Sequence, residues 1–298
     1  MFVEALPPAP PAPHRRRVKA RFVCLAILSS ICPVIASAQL VSHLAPQFIH
    51  NAEIDSLPDA PLPQLSSSGA ANTTPPVTLR RTPTNILKDQ ATIWTSPAHL
   101  REGDLKWIVP LGLATTVAIT ADHQVMSSKV SHDAKFNHDN VLASDAFTGV
   151  LVAVPVGLIG KGVVGHDDDA KESGVLSGEA MVDGAVVQEV MKLIFLRERP
   201  DVDNAKGKFF QTSAGTDGSF PSSHCVISWS SAAVLAEEYP DWWKQAGIYM
   251  MATGVSITRV LGQEHFPSDA LVGSAVGWMI GHYVHRKRHH KERVTPYD

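Results

Sequence analysis

Apolar and polar positions divide the chain into two textures. From about Asn85 onward, apolar segments rich in Ala, Val, Leu and Met run near 107–121, 146–160, 179–196, 225–238, 245–260 and 270–285. Polar turns separate them, and Gly, Pro or charged residues close them. Each is too long for an ordinary strand and none alternates with a period of two, so the pattern predicts helices. The expectation is an all-α domain, a single bundle of about six helices. The segments run about 14 to 18 residues, short of the roughly 20 that a helix needs to cross hydrocarbon. Several also carry acids: Glu179, Asp183, Glu189 and Glu237.

Ahead of this domain the texture differs. Residues 39–84 are rich in Pro, Ser, Ala, Asn and Thr without a sustained period and read as a disordered linker. Residues 1–38 hold a basic stretch, an apolar run from Phe22 to about Ala36, and a small-residue ending at Ala36-Ser37-Ala38. These are the parts of a secretory signal, with cleavage expected after Ala38. Cys24 and Cys32 leave with it, so Cys225 alone remains and no internal disulfide can form. The domain spans 85–285, and 286–298 form a basic tail.

Composition narrows the function. An apolar fraction of 44% supports a real core, and a formal charge of −3 argues against a nucleic-acid binder. The acidic stretch 165–174, GHDDDAKESG, lacks the full calcium-loop pattern and reads as a solvated turn. His123, His132 and His138 read as members of a polar loop after the first helix, and the C-terminal HYVHRKRHHKER as a basic tail, with adventitious metal binding as the alternative.

Three stretches carry candidate chemistry. In MKLIFLRERPD, Lys192 and Arg199 lie seven apart, nearly two helical turns, with Pro200 placing Arg199 at the helix exit. In DGSFPSSHCVISW, serines precede His224 at a helix start, where unpaired N–H groups and the helix dipole favour an anion. In SITRVLGQEHFPSDALVG, Arg259 closes an apolar helix at Gly262 and Pro267 opens the next. His265 and Asp269 are four apart, so the carboxylate is expected to reach one imidazole nitrogen and fix the tautomer. Taken singly, each stretch could be an ordinary helix end. Together they supply cations, an anion pocket and two histidines, the kit that phosphoryl transfer requires.

These stretches resemble the three motifs of the type 2 phosphatidic acid phosphatase (PAP2) superfamily, K-x6-RP, PSGH and SR-x5-H-x3-D. That superfamily shares its site with bacterial class A acid phosphatases and vanadate-dependent haloperoxidases. Here the motifs read Lys192 to Pro200, Pro221 to His224 and Thr258 to Asp269, with Ser223 in place of glycine and Thr258 in place of serine. The resemblance covers roughly residues 105–285 and implies an acid phosphatase/vanadium-dependent haloperoxidase-like helical fold. It also implies roles. His265 would attack phosphorus and carry a phosphohistidine, oriented by Asp269, and His224 would protonate the leaving oxygen and then activate water. Lys192, Arg199, Arg259, Ser222 and Ser223 would hold the phosphate oxygens, with no metal and no cofactor.

The expected activity is metal-independent hydrolysis of a phosphorylated lipid or small phosphoester. The alternatives are a vanadate haloperoxidase, in which vanadate would fill the same cradle, and a non-catalytic phosphate-binding envelope protein. Cys225 is expected to serve packing only. The chain is expected to be exported to the periplasm or envelope and to rest on a membrane surface. A polytopic inner-membrane protein is the alternative, favoured by the basic C-terminus.

Overall fold

The structure, a computed structural model, describes Val77 and residues 79–289; the expected signal and most of the expected linker lie outside the described residues. Seven helices follow in order: α1 (Thr82–Thr95), α2 (Glu102–Ser128), α3 (Ala134–Gly165), α4 (Asp168–Phe195), α5 (Ser223–Glu238), α6 (Trp242–Leu261) and α7 (Pro267–Arg288). Among the described residues there are no strands. The all-α expectation holds, with one helix more than the six apolar segments.

That extra helix, α1, was hidden because polar contacts hold it. Asn85 donates to Glu179 at 2.9 Å and Gln90 to Asp183 at 2.8 Å, both on α4. Asp89 is fully buried and takes Lys287 at 3.1 Å, Tyr283 at 3.1 Å and Arg288 as partners. Arg288 therefore belongs to the folded body, and α7 runs three residues into the stretch read as a basic tail.

The helices also outrun their apolar segments, because caps and not hydropathy set their ends. Asp133 accepts from Phe136 N at 2.7 Å to start α3, and Asp167 accepts from Ala170 N at 3.0 Å to start α4. The acidic stretch 165–174 is thus mostly helix, with only His166 and Asp167 between α3 and α4. His123 and His138 likewise lie within α2 and α3, leaving His132 alone in the joint. The expected lengths of about 14 to 18 residues are corrected most at α2 and α3, which have 27 and 32. By length and composition both could cross a membrane, and none of the apolar window of α2 is buried.

Helix α5 runs through the middle, packed on α3, α4, α6 and α7. Its seam with α7 is unusually close. Gly273, Gly277 and Gly281 fall one turn apart on α7, and a Cβ at these positions would meet Ser222 O at 2.8 Å, Val226 O at 2.4 Å and Ser230 O at 2.4 Å. A side chain there would push the helices apart. On another face, Pro155 cannot donate to the carbonyl of Leu151, and Ser231 Oγ of α5 fills that place at 2.7 Å.

Candidate active site

Four helix ends meet at one end of the bundle. The last turn of α4 brings Lys192, the first turn of α5 brings Ser222 to His224, the last turn of α6 brings Arg259, and the start of α7 brings His265 and Asp269. Arg199 joins them from the loop. Leu196 caps α4 in the left-handed conformation, so Arg199 stands four residues past Phe195 and not at the helix exit. The structure thus gathers the sequence-derived residues, with two corrections to how they interact.

The first concerns Asp269. Its i, i+4 spacing from His265 suggested a direct bond, but Asp269 Oδ2 lies 3.8 Å from His265 Nδ1, beyond a hydrogen bond. Asp269 is the third residue of α7, and its Oδ2 accepts instead from Phe266 N at 2.8 Å, closing the helix start. Its Oδ1 takes Arg197 at 2.6 Å. The tautomer of His265 is set by Ser219, whose carbonyl sits 2.8 Å from Nδ1. A carbonyl only accepts, so Nδ1 carries the proton and Nε2 of the neutral ring keeps its lone pair. Burial pushes the imidazole pKa down, while the Asp269 carboxylate pulls the other way.

The second concerns Ser223. Its hydroxyl donates to Gln188 Oε1 on α4 at 2.7 Å and so leaves the anion pocket to the backbone. Ser222 Oγ is buried with no hydrogen-bond partner at the mouth of α5, and Ser222 N donates to Asp269 O at 3.2 Å. Thr258 turns its hydroxyl back to Gly254 O at 2.7 Å, within its own helix.

Acids already balance the cations. Glu264 Oε2 receives Arg199 at 2.7 Å and Arg259 at 3.2 Å. Asp145 Oδ1 on α3 lies 3.2 Å from His224 Nε2 and 3.4 Å from Arg259. Burial, then Arg259, pushes His224 down to about 4, partly offset by Asp145, so its ring is neutral at pH 7. Burial likewise lowers Lys192, with Arg199 and Arg259 adding repulsion and Glu189 and Asp217 opposing. Glu264 and Asp145 thus occupy cation contacts for which an incoming anion would compete.

Sequence reasoning missed Asp145, Glu264 and Arg197. The last is the largest fully buried side chain, at 1% exposure. It donates to Asp122 at 2.7 Å, Ser268 at 2.7 Å, Asp269 at 2.6 Å and Gly207 O at 3.2 Å. The rings of Phe209 and Phe266 lie 4.6 and 4.1 Å from its guanidinium carbon. Gly207, at φ +57, leaves room for it, since a Cβ would come 2.6 Å from Phe266 and 2.9 Å from Arg197. A signal existed: Arg197 lies within the quoted K-x6-RP stretch, but nothing in that spacing separates a buried arginine from an exposed one. Cys225 is fully buried against the α7 seam.

Part of the chain is similar to known proteins. A family model described as the PAP2 superfamily matches residues 174–293. A lipid A 1-phosphatase from Porphyromonas gingivalis is 32% identical over 107 residues, covering 35% of this chain; the match spans about a fifth of that relative's length (21%). A PAP2-type phosphatidylglycerolphosphate phosphatase from Bacillus subtilis, described as transmembrane, superposes with a TM-score of 0.44 at 16% identity, over 72% of this chain and 99% of that one. All three motifs and the helix ends that carry them fall inside residues 174–293, the segment that is similar to the PAP2 superfamily.

Proposed function

We propose that the protein is a phosphoric ester hydrolase acting on a phosphorylated lipid through a phosphohistidine intermediate. The observation that carries this reading is His265: a buried, neutral imidazole with Nδ1 committed to Ser219 O and Nε2 left to attack, beside Lys192, Arg199 and Arg259. The cations and the N–H groups at the start of α5 hold the equatorial phosphoryl oxygens as charge builds. His265 Nε2 forms a bond to phosphorus while the bond to the ester oxygen breaks, and His224 gives that oxygen a proton. The substrate's own negative charge raises the proton affinity of His224 and so loads the acid. In the second half, His224 takes a proton from water, the water oxygen bonds to phosphorus, and His265 leaves. No step uses a metal or cofactor.

A lipid substrate is supported by an apolar groove of about 1360 Å³ lined mainly by α2, α6 and α7, which reaches Pro267 and Ala270 at the start of α7 but contains none of the histidines or cations of the site. Trp107, Trp229, Leu271 and Trp278 also line it. Exposed apolar side chains on α2, among them Trp107, Leu113 and Val117, would face lipid, with residues 1–38 directing export to the envelope. The test is phosphate release by the full chain from a long-chain phosphatidate, a short-chain analogue and a soluble aryl phosphate, each with and without EDTA. Expected is release that survives EDTA and is fastest on the long-chain lipid. Activity lost to EDTA and restored by a divalent ion overturns the metal-free chemistry, and no release from any substrate overturns the enzyme.

A further inference from the structure

At the end of the bundle away from Lys192 and His265, α4, α5 and α7 bring a second group of titratable side chains together. His285 and His289 lie one turn apart on α7 with rings stacked at 4.5 Å. Glu238, the last residue of α5, places Oε1 3.2 Å from His285 Nε2 and 3.0 Å from His289 Nδ1. Glu172 of α4 adds an oxygen 3.4 Å from His289 Nδ1. His285 is only 8% exposed, and neither of its ring nitrogens makes a well-formed hydrogen bond.

We propose that His285 Nε2, His289 Nδ1 and Glu238 Oε1 bind a divalent cation of the Zn²⁺ class, with water completing the shell and Glu172 close to His289. Metal–ligand bonds of about 2.0–2.1 Å in a tetrahedron place donors about 3.3 Å apart, close to the spacings found. Two imidazoles with carboxylates suit zinc and its first-row neighbours better than magnesium or calcium, which prefer oxygen shells. The surroundings are built for ligation as well. Glu237 Oε2 sits 2.5 Å from His285 Nδ1, where it would accept that proton and leave Nε2 for the metal, and His282 holds the other Glu237 oxygen. Ser173 Oγ donates to Glu238 Oε2 at 2.9 Å and leaves Oε1 facing the histidines. Imidazole lone pairs lie in the ring plane, so binding would turn the more exposed His289 ring out of the stack until Nδ1 and His285 Nε2 face one ion, and the proton displaced from His289 Nδ1 goes to solvent. The ion would pin the ends of α5 and α7 and take no part in hydrolysis.

The experiment uses the full chain without a polyhistidine tag, stripped by a chelator and titrated with ZnCl₂ by calorimetry. Expected is one Zn²⁺ per chain bound at micromolar concentration, with His289→Ala and Glu238→Gln each weakening binding at least about tenfold. Zinc-edge X-ray absorption of the unmutated protein is expected to show two imidazole nitrogens with oxygens, which identifies the shell even if a variant fails to fold. The proposal is overturned by no uptake, by binding in both variants as tight as in the unmutated protein, or by a shell with fewer than two imidazoles.

Discussion

The guanidinium of Arg197 reaches the carboxylate of Asp269 at 2.6 Å and holds it 3.8 Å from the His265 ring. Helical spacing alone would have given that carboxylate to the histidine. Arg197 also ties Asp122 of α2 to the start of α7, so a residue outside every motif position fixes where the neighbours of His265 stand. Arg197→Ala leaves two buried carboxylates without their cation. It is expected to cost about 3–5 kcal/mol of stability, read by urea unfolding. A loss below about 1 kcal/mol would mean that the network is not a structural hub.

His265→Ala is expected to reduce phosphate release by at least about a thousandfold, because no other group offers a lone pair at that place. Cys225→Ala, in the packed seam, should retain most activity. Near-normal turnover by the His265 variant would overturn the mechanism.

The pH dependence turns on His224, whose folded pKa of about 4 lies below its ordinary value of 6.5. The sign follows from linkage: the unfolded chain binds this proton first as pH falls. The contribution of this site to stability is therefore intact above about pH 6.5 and declines as pH falls toward 4. Asp145 raises the His224 pKa more than the other nearby carboxylate, Glu264, so Asp145→Asn should move the corresponding limb of the kcat/KM profile to lower pH. An unmoved limb would assign it to another group.

Glu264 sits between Arg199 and Arg259, where a phosphoryl group would place its oxygens. Glu264→Gln removes that competing charge and is expected to tighten inhibition by orthophosphate about fivefold, equivalent to about 1 kcal/mol. Weaker inhibition would show that Glu264 positions the arginines more than it competes with substrate.

Membrane attachment is testable through α2. The protein is expected to sediment with membranes, and Leu113→Lys with Val117→Lys to release it, since both side chains are more than 60% exposed. Unchanged partition would move the contact to another face.

The motif residues were legible because their chemistry is tied to local spacing. Pro267 opens α7 and Gly262 follows α6 as the sequence suggested, which brings Arg259 and His265 to adjoining helix ends. Interactions across the fold were not legible. Asp145 lies in the polar first turns of α3, outside the apolar segment taken for a helix, and pairs with His224 through tertiary packing. Helix α1 escaped notice because its burial runs through Asp89, Gln90 and Asn85, which hydropathy reads as surface. Asp269 misled for the opposite reason. Its spacing was right, but the open N–H of Phe266 and the unseen Arg197 claimed both oxygens first.

The glycine seam between α5 and α7 has a mechanical consequence. His224 rides on one of these helices, and His265 stands at the start of the other. Gly273 sets their backbones in direct contact beside Ser222, and the bond from Ser222 N to Asp269 O crosses the same joint. The two histidines are therefore fixed relative to each other by the backbone and not by their own side-chain bonds. A residue larger than glycine at 273 would separate the two rings even though it touches neither.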